Sequence, residues 1–395
     1  MFCSKARSKW ALNVPVFLQP YFLFFLAWFL SLTFLSMSVT KVSFDDYSEV
    51  ILVILVSCVS FLFGYLFSRI LSSISDRCPA WCGFNLKINR FDSSPEVIYL
   101  ALVFACLVLV FYNFYVDGYP PFFGFFGFKT DHYNEYGRFI GLLVPLLSSA
   151  AIAAVYLNRR YSKLIGLLFV YLIFMVYVLR GPMIISFFQV FVIFLITNYQ
   201  GSRDKIKYYA RYLVVSIFVL IFVLVVFSVV GTHRSGLESF YEFLRIEEAA
   251  KQEYSTLTLW VATYFSIPVS NFFWFYSEVG FSEVDFSFLS RLLPAFWVVE
   301  SEGVLHDIES LDSYMIDDVH FYLFYWYSGL GMAGVVFLNF IYGFLGHFLS
   351  KNTVLYSVIA SVIMFSFFID YLFYFSVVVQ IFILIFISKY LQKKL

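Results

Sequence analysis

The side chains able to do chemistry in this sequence sit at the edges of apolar runs. Arg180, in Arg180-Gly181-Pro182, interrupts an otherwise uncharged stretch from 164 to 202, and His233 and Arg234, in Gly231-Thr232-His233-Arg234-Ser235, close the run 212–233. A guanidinium at a membrane boundary is costly unless paired or solvated, so each marks either a functional site or an anchor reaching for lipid phosphate. Arg grips phosphate oxygens with a planar, permanently charged fork. A diphosphate-bearing substrate would need such groups. Arg245 and Arg291 are further candidates, although Arg245 also stands at helical spacing from Glu238, Glu242 and Glu248 and can pair with them. His233 and His320 are candidate proton acceptors.

Aromatic residues crowd the same part of the chain. Trp260, Trp274, Trp297 and Trp326 fall there together with Tyr264, Tyr276 and Tyr327. Rings mixed with carboxylates suit a carbohydrate groove, where sugar C–H faces stack on rings and hydroxyls bond to carboxylates. An interfacial aromatic belt has the same composition. Gly329-Leu330-Gly331-Met332-Ala333-Gly334 matches G-x-G-x-x-G, but no strand signal precedes it, so helix packing is the better reading. Cys78 and Cys82 lack a second pair or a nearby His, and the sequence gives no metal site.

The elements that must position these residues follow from composition. The chain has 395 residues, 62% hydrophobic and 13% charged, which excludes a water-soluble globule. Eleven charge-free windows of at least 16 residues occur, at 10–40, 50–68, 97–116, 139–158, 164–179, 181–202, 212–233, 254–277, 319–350, 352–369 and 371–388. At ~1.5 Å per residue each approaches the ~30 Å hydrocarbon thickness. The expected fold is an all-α polytopic membrane bundle of about 10–12 spans forming one domain over 1–395.

Orientation follows from where Lys and Arg fall. If 254–277 crosses alone, 15 basic residues lie inside and 11 outside; if it makes no net crossing, 18 lie inside and 8 outside. The second arrangement is preferred. It makes 232–318 a large external region with a re-entrant or interfacial segment near 254–277, which carries Pro268, Ser266, Ser270 and Asn271. Both termini are then cytoplasmic, and Asp370 marks a tight external hairpin.

Taken together, these residues resemble the O-antigen polymerases of the Wzy type, the oligosaccharide repeat unit polymerases, over most of the chain. The likeness rests on Asp117-Gly118-Tyr119-Pro120-Pro121-Phe122-Phe123-Gly124, Arg180-Gly181-Pro182, Thr232-His233-Arg234-Ser235, the stretch from Tyr264 to Asn271, and Gly329 to Gly334. Many members carry an acid two positions before the last motif, where this chain has Tyr327, so that acid's role does not carry over. The resemblance implies a glycosyltransferase of the bacterial inner membrane whose site faces the periplasm. Its partners would be an undecaprenyl-diphosphate-linked oligosaccharide, membrane lipid and a chain-length regulator, with no cofactor, metal or nucleic acid. On this reading Arg180 and Arg234 hold the diphosphate, with Arg291 in support, and a carboxylate, His233 or His320 takes the acceptor proton. Arg245, Tyr264, Trp297 and Tyr327 contact sugar. An O-antigen ligase and a flippase of lipid-linked oligosaccharides are the alternatives.

Overall fold

The computed structural model describes residues 14–37, 39, 47–75, 94–126, 139–177, 179–201, scattered positions from 204 to 214, 237–243, 245–281, 283–292, 321–367 and 371–391. Among them are twelve α-helices and no β-strand: α1 (Pro20–Leu35), α2 (Tyr47–Ser75), α3 (Pro95–Asp117), α4 (Ile140–Val155), α5 (Arg160–Val176), α6 (Arg180–Gly201), α7 (Leu237–Phe243), α8 (Glu248–Glu253), α9 (Thr256–Glu278), α10 (Phe324–Leu349), α11 (Thr353–Met364) and α12 (Phe375–Leu391). The seventh window, 212–233, lies largely outside the described residues, as does Asp370.

Helix starts follow local chemistry. Ser94 caps α3 by accepting from the Val97 amide, and Ser255 caps α9 by accepting from Thr258. Asn352 accepts from both Val354 and Leu355 to open α11. In each case a side-chain oxygen satisfies amides that have no partner within the helix. Pro182 falls in the first turn of α6, where its missing N–H costs nothing. Arg180-Gly181-Pro182 therefore begins a helix, and α5 has already ended before it, at Val176.

Four helices are long and apolar enough to cross a membrane, at Val50–Ile74, Pro95–Val116, Gly181–Gln200 and Phe324–Leu349; α1, α4, α11 and α12 are shorter apolar helices. Their outward faces are apolar as well. On α3 the exposed Val97, Leu100, Phe104, Val108 and Phe111 form one helical stripe, with Phe104 70% exposed. Such a surface is stable against lipid tails and not against water. The buried polar residues are Ser, Thr, Asn and Gln; no Asp, Glu, Lys or Arg is buried among the described side chains.

Between apolar helices in lipid, association rests on close packing and hydrogen bonds. Glycine supplies the first for α2 and α10. A Cβ at Gly64 would strike the Phe340 carbonyl, and one at Gly343 would strike the Phe61 carbonyl, so the two backbones touch. Ser68 and His347 Nδ1 lie 3.1 Å apart further along, which makes the two helices run in the same direction. The second device lies at the centre, where Gln189 and Gln380 exchange amide bonds of 2.7 and 3.3 Å and Gln189 also donates to Ser361 at 3.1 Å. α6, α11 and α12 are pinned together there.

α10 is continuous in chain but broken in direction. Gly331, at φ 60° and ψ −148°, occupies backbone that L side chains avoid. The Tyr322 hydroxyl donates to Asn339 Oδ1 at 2.7 Å, the rings of Trp326 and Phe337 are 5.7 Å apart, and a Cβ at Gly334 would meet the Trp326 carbonyl. In a straight helix residues 322 and 339 would be separated by ~26 Å. Residues 321–330 therefore fold back along 332–349, and only the second limb continues beside α2. Gly334 does serve packing, as the sequence suggests, whereas Gly331 makes a reversal.

The bundle has two unlike ends. Arg69, Arg159, Arg160, Lys163, Lys207, Arg211, Lys351 and Lys389 collect where α2, α4, α6, α10 and α12 finish. The opposite end carries Arg180, Arg245, Lys251 and Arg291 among the carboxylates of the 238–285 region.

Candidate functional site

The region carrying most of the sequence candidates is built on α9, 23 residues and ~34 Å long, which continues through Pro268. Near its start Trp260 belongs to a small core with Val39, Phe240 and Ile246, beyond the C-terminal end of α1, and Phe265 meets Phe34 at 5.1 Å. Past its finish, Phe281 presses on Gly331 at the reversal of α10, and the Asp285 amide donates to the Gly329 carbonyl at 2.8 Å. Because α2 and 332–349 run in parallel, this reversal lies beside the beginning of α2 and so beside the end of α1.

Aromatic side chains join α9 to its surroundings in two groups. The first is a stack of Phe240 on Trp260 at 4.0 Å and Trp260 on Tyr264 at 5.6 Å. Tyr264, the last of these three rings, is half-buried. The second group surrounds Tyr327, whose ring lies 4.8 Å from Tyr276, 5.8 Å from Phe272 and 6.5 Å from Phe275. With 7% of its surface exposed, Tyr327 is a packing residue as placed. Half-buried Tyr276 is the more accessible ring of that pair.

Arg245 is exposed and sits in the turn between α7 and α8 at φ 48°, the one non-glycine residue with positive φ among the described residues. The left-handed conformation costs about 1–2 kcal/mol for a residue with a Cβ. The turn is held by the Ile246 amide donating to the Tyr241 carbonyl at 3.0 Å and the Glu247 amide donating to Val39 at 3.1 Å. Of the carboxylates at helical spacing from Arg245, Glu248 pairs with Lys251, whose ammonium also lies 5.2 Å from the Tyr241 ring centre. The Tyr254 hydroxyl is held above its ordinary pKa chiefly by its hydrogen bond to Glu253.

Arg245 stands beside Ile246 of the small core around Trp260, against which Tyr264 packs, and α9 carries the connection on to Tyr327. Arg180 opens α6 and Arg291 lies in the 3₁₀ turn Ser287–Leu292, but their side chains lie outside the described residues, as do His233, Arg234, Trp297 and His320 altogether. No group of three His, Cys, Asp or Glu with metal-binding geometry occurs among the described residues. Sequence reasoning passed over the Gln189–Gln380 pair. Its signal was available: each Gln stands near the middle of an apolar run, where an amide needs a partner. It passed over the fold-back as well, since no composition marks Gly331 apart from its neighbours Gly329 and Gly334.

Comparison of the chain with protein-family models, with curated proteins and with solved structures finds no match in any of the three.

Proposed function

We propose that this chain is a polytopic glycosyltransferase of the O-antigen polymerase type. It would join undecaprenyl-diphosphate-linked repeat units at the periplasmic face of a bacterial inner membrane, using ten to twelve spans and an external region over 232–318. The observation that carries this reading is the polarity of the bundle. Basic residues gather at one end, which the positive-inside bias makes cytoplasmic. The other end holds the start of α9 and its aromatic residues, among carboxylates and a few arginines.

The chemistry asked of such a site is modest. A diphosphate is already a good leaving group, so the protein must stabilise its charge, orient the acceptor hydroxyl and accept one proton. Arg180 and Arg234, with Arg291 in support, are assigned to the diphosphate. A carboxylate of the external region, His233 or His320 is assigned to the proton. Arg245, Tyr264 and Trp297 are assigned to the glycan, and Tyr327 to the wall behind Tyr276. The absence of buried charge among the described side chains disfavours an ion-coupled flippase, whose path needs ionisable groups within the spans.

Deletion of the gene followed by gel display of surface lipopolysaccharide tests the proposal. Loss of the long ladder with a single repeat retained supports polymerisation; loss of every repeat points to a ligase or a flippase. Arg180→Ala and Arg234→Ala, expressed at the normal level, are each expected to abolish the ladder. An undiminished ladder in both removes them from the site.

A further inference from the structure

At the basic end of the bundle, far from α9, α4 to α6 enclose a cleft of about 670 Å³. Its wall on α6 is Phe187, Val190, Phe191, Phe194, Thr197 and Asn198, one helical face spanning ~16 Å. The cleft is segregated along that length. Phe187, Val190, Phe191 and, from α5, Leu167 line the part toward the middle of the bundle, while Thr197, Asn198, Asn158 and Lys163 join Val155, Tyr156 and Leu157 at its basic end.

The polar part is equipped to receive an anion. Lys163 is half-exposed, and neither it nor the adjacent Arg159 and Arg160 makes an ion pair among the described residues. Tyr156 also lines the cleft, but it is 6% exposed and its hydroxyl is sealed in the core, so Lys163 is the group there that can meet an anion. α5 begins at this point with no side-chain cap on its first turn, so its first amides have no side-chain acceptor there. Glu96 is the carboxylate nearby, and it accepts from both the backbone and the side chain of Asn158.

An apolar trough about as long as an acyl chain, ending in an unpaired cation and uncapped helix amides at the basic end of the bundle, matches one kind of molecule. We infer that this cleft holds an anionic phospholipid, its phosphate beside Lys163 and one acyl chain laid along the α6 face. Basic pockets between membrane helices recognise anionic headgroups by this combination of charge and apolar area. The site is separate from the diphosphate-handling end and does not depend on the function proposed for it.

Native mass spectrometry of the full chain released from nonionic detergent tests the assignment, with dioleoyl phosphatidylglycerol, dioleoyl phosphatidylcholine and inorganic phosphate as separate probes. One phosphatidylglycerol is expected to bind at least ~5-fold tighter than phosphatidylcholine, the scale of one lysine at an anionic lipid surface. Lys163→Gln is expected to erase that preference and Lys163→Arg to keep it. Val190→Trp, which fills the trough, is expected to weaken both lipids. Equal binding of the two lipids overturns the inference, as does a preference that survives Lys163→Gln. Inorganic phosphate binding as tightly as phosphatidylglycerol would make this a free-anion site and overturn the lipid assignment. Thermal melts of each variant in the same detergent separate loss of binding from loss of fold.

Discussion

Two helix pairs in this bundle treat the same problem in opposite ways. α2 and the second limb of α10 touch backbone to backbone because Gly64 and Gly343 face the partner chain at Phe340 and Phe61. α5 and α6 leave a cleft between them, because α6 offers Phe187, Phe191 and Phe194 on that side. α5 does own a glycine, Gly166, but it is turned to Tyr99 of α3 and Ala154 of α4, whose atoms lie 3.2 and 3.3 Å from where its Cβ would stand. The Tyr99 hydroxyl donates to the Gly166 carbonyl at 3.1 Å. Where small residues face each other, apolar helices close up; where large rings face outward, they splay and leave room for a ligand.

The contrast predicts a graded set of responses. Gly343→Ile should do the most damage, since it drives a branched side chain into the Phe61 backbone; a loss of about 3 kcal/mol or more is expected, read as collapse of the monodisperse peak in detergent. Gly331→Ala should cost about 2 kcal/mol through its disallowed backbone and the Phe281 ring beside it, seen as a lowered melting temperature. Gln189→Leu should cost about 1 kcal/mol by orphaning the Gln380 amide, and the added Gln380→Leu should recover most of it. A double mutant that stays as unstable as the single one would refute the pairing. Phe187→Ala, on the open side of the cleft, should change stability by no more than about 0.5 kcal/mol. A large loss there would mean that α5 and α6 close on each other after all.

A separate prediction concerns Arg245. Arg245→Gly relieves the left-handed backbone and should raise stability by about 1 kcal/mol, while Arg245→Ala should not, although both remove the guanidinium. If the two variants also shorten the polysaccharide ladder equally, the guanidinium acts on the glycan and the strained turn serves to present it.

Much of the architecture was legible in the residues alone. Uncharged windows locate most of the apolar helices, because a chain in lipid must satisfy its backbone within the helix and cannot carry unpaired charge. The distribution of Lys and Arg sorts the loops, and the helices gather those same residues at one end. The expectation that 254–277 makes no net crossing also came from charge; the structure shows this segment as one continuous helix, α9. The candidate site was less legible. Tyr264 and Tyr327 look alike in the sequence, yet one is half-buried and the other is packed inward, since burial depends on which rings arrive from distant segments.

The sequence by itself determined that the chain is helical, apolar on its outside and basic at one end, for these follow from composition and from the periodicity of single segments. Only the tertiary structure decided that α10 doubles back at Gly331, that two glutamines 191 positions apart bond at the centre, and that α5 and α6 part around a cleft. Those outcomes depend on which surfaces meet, and no segment carries that information alone.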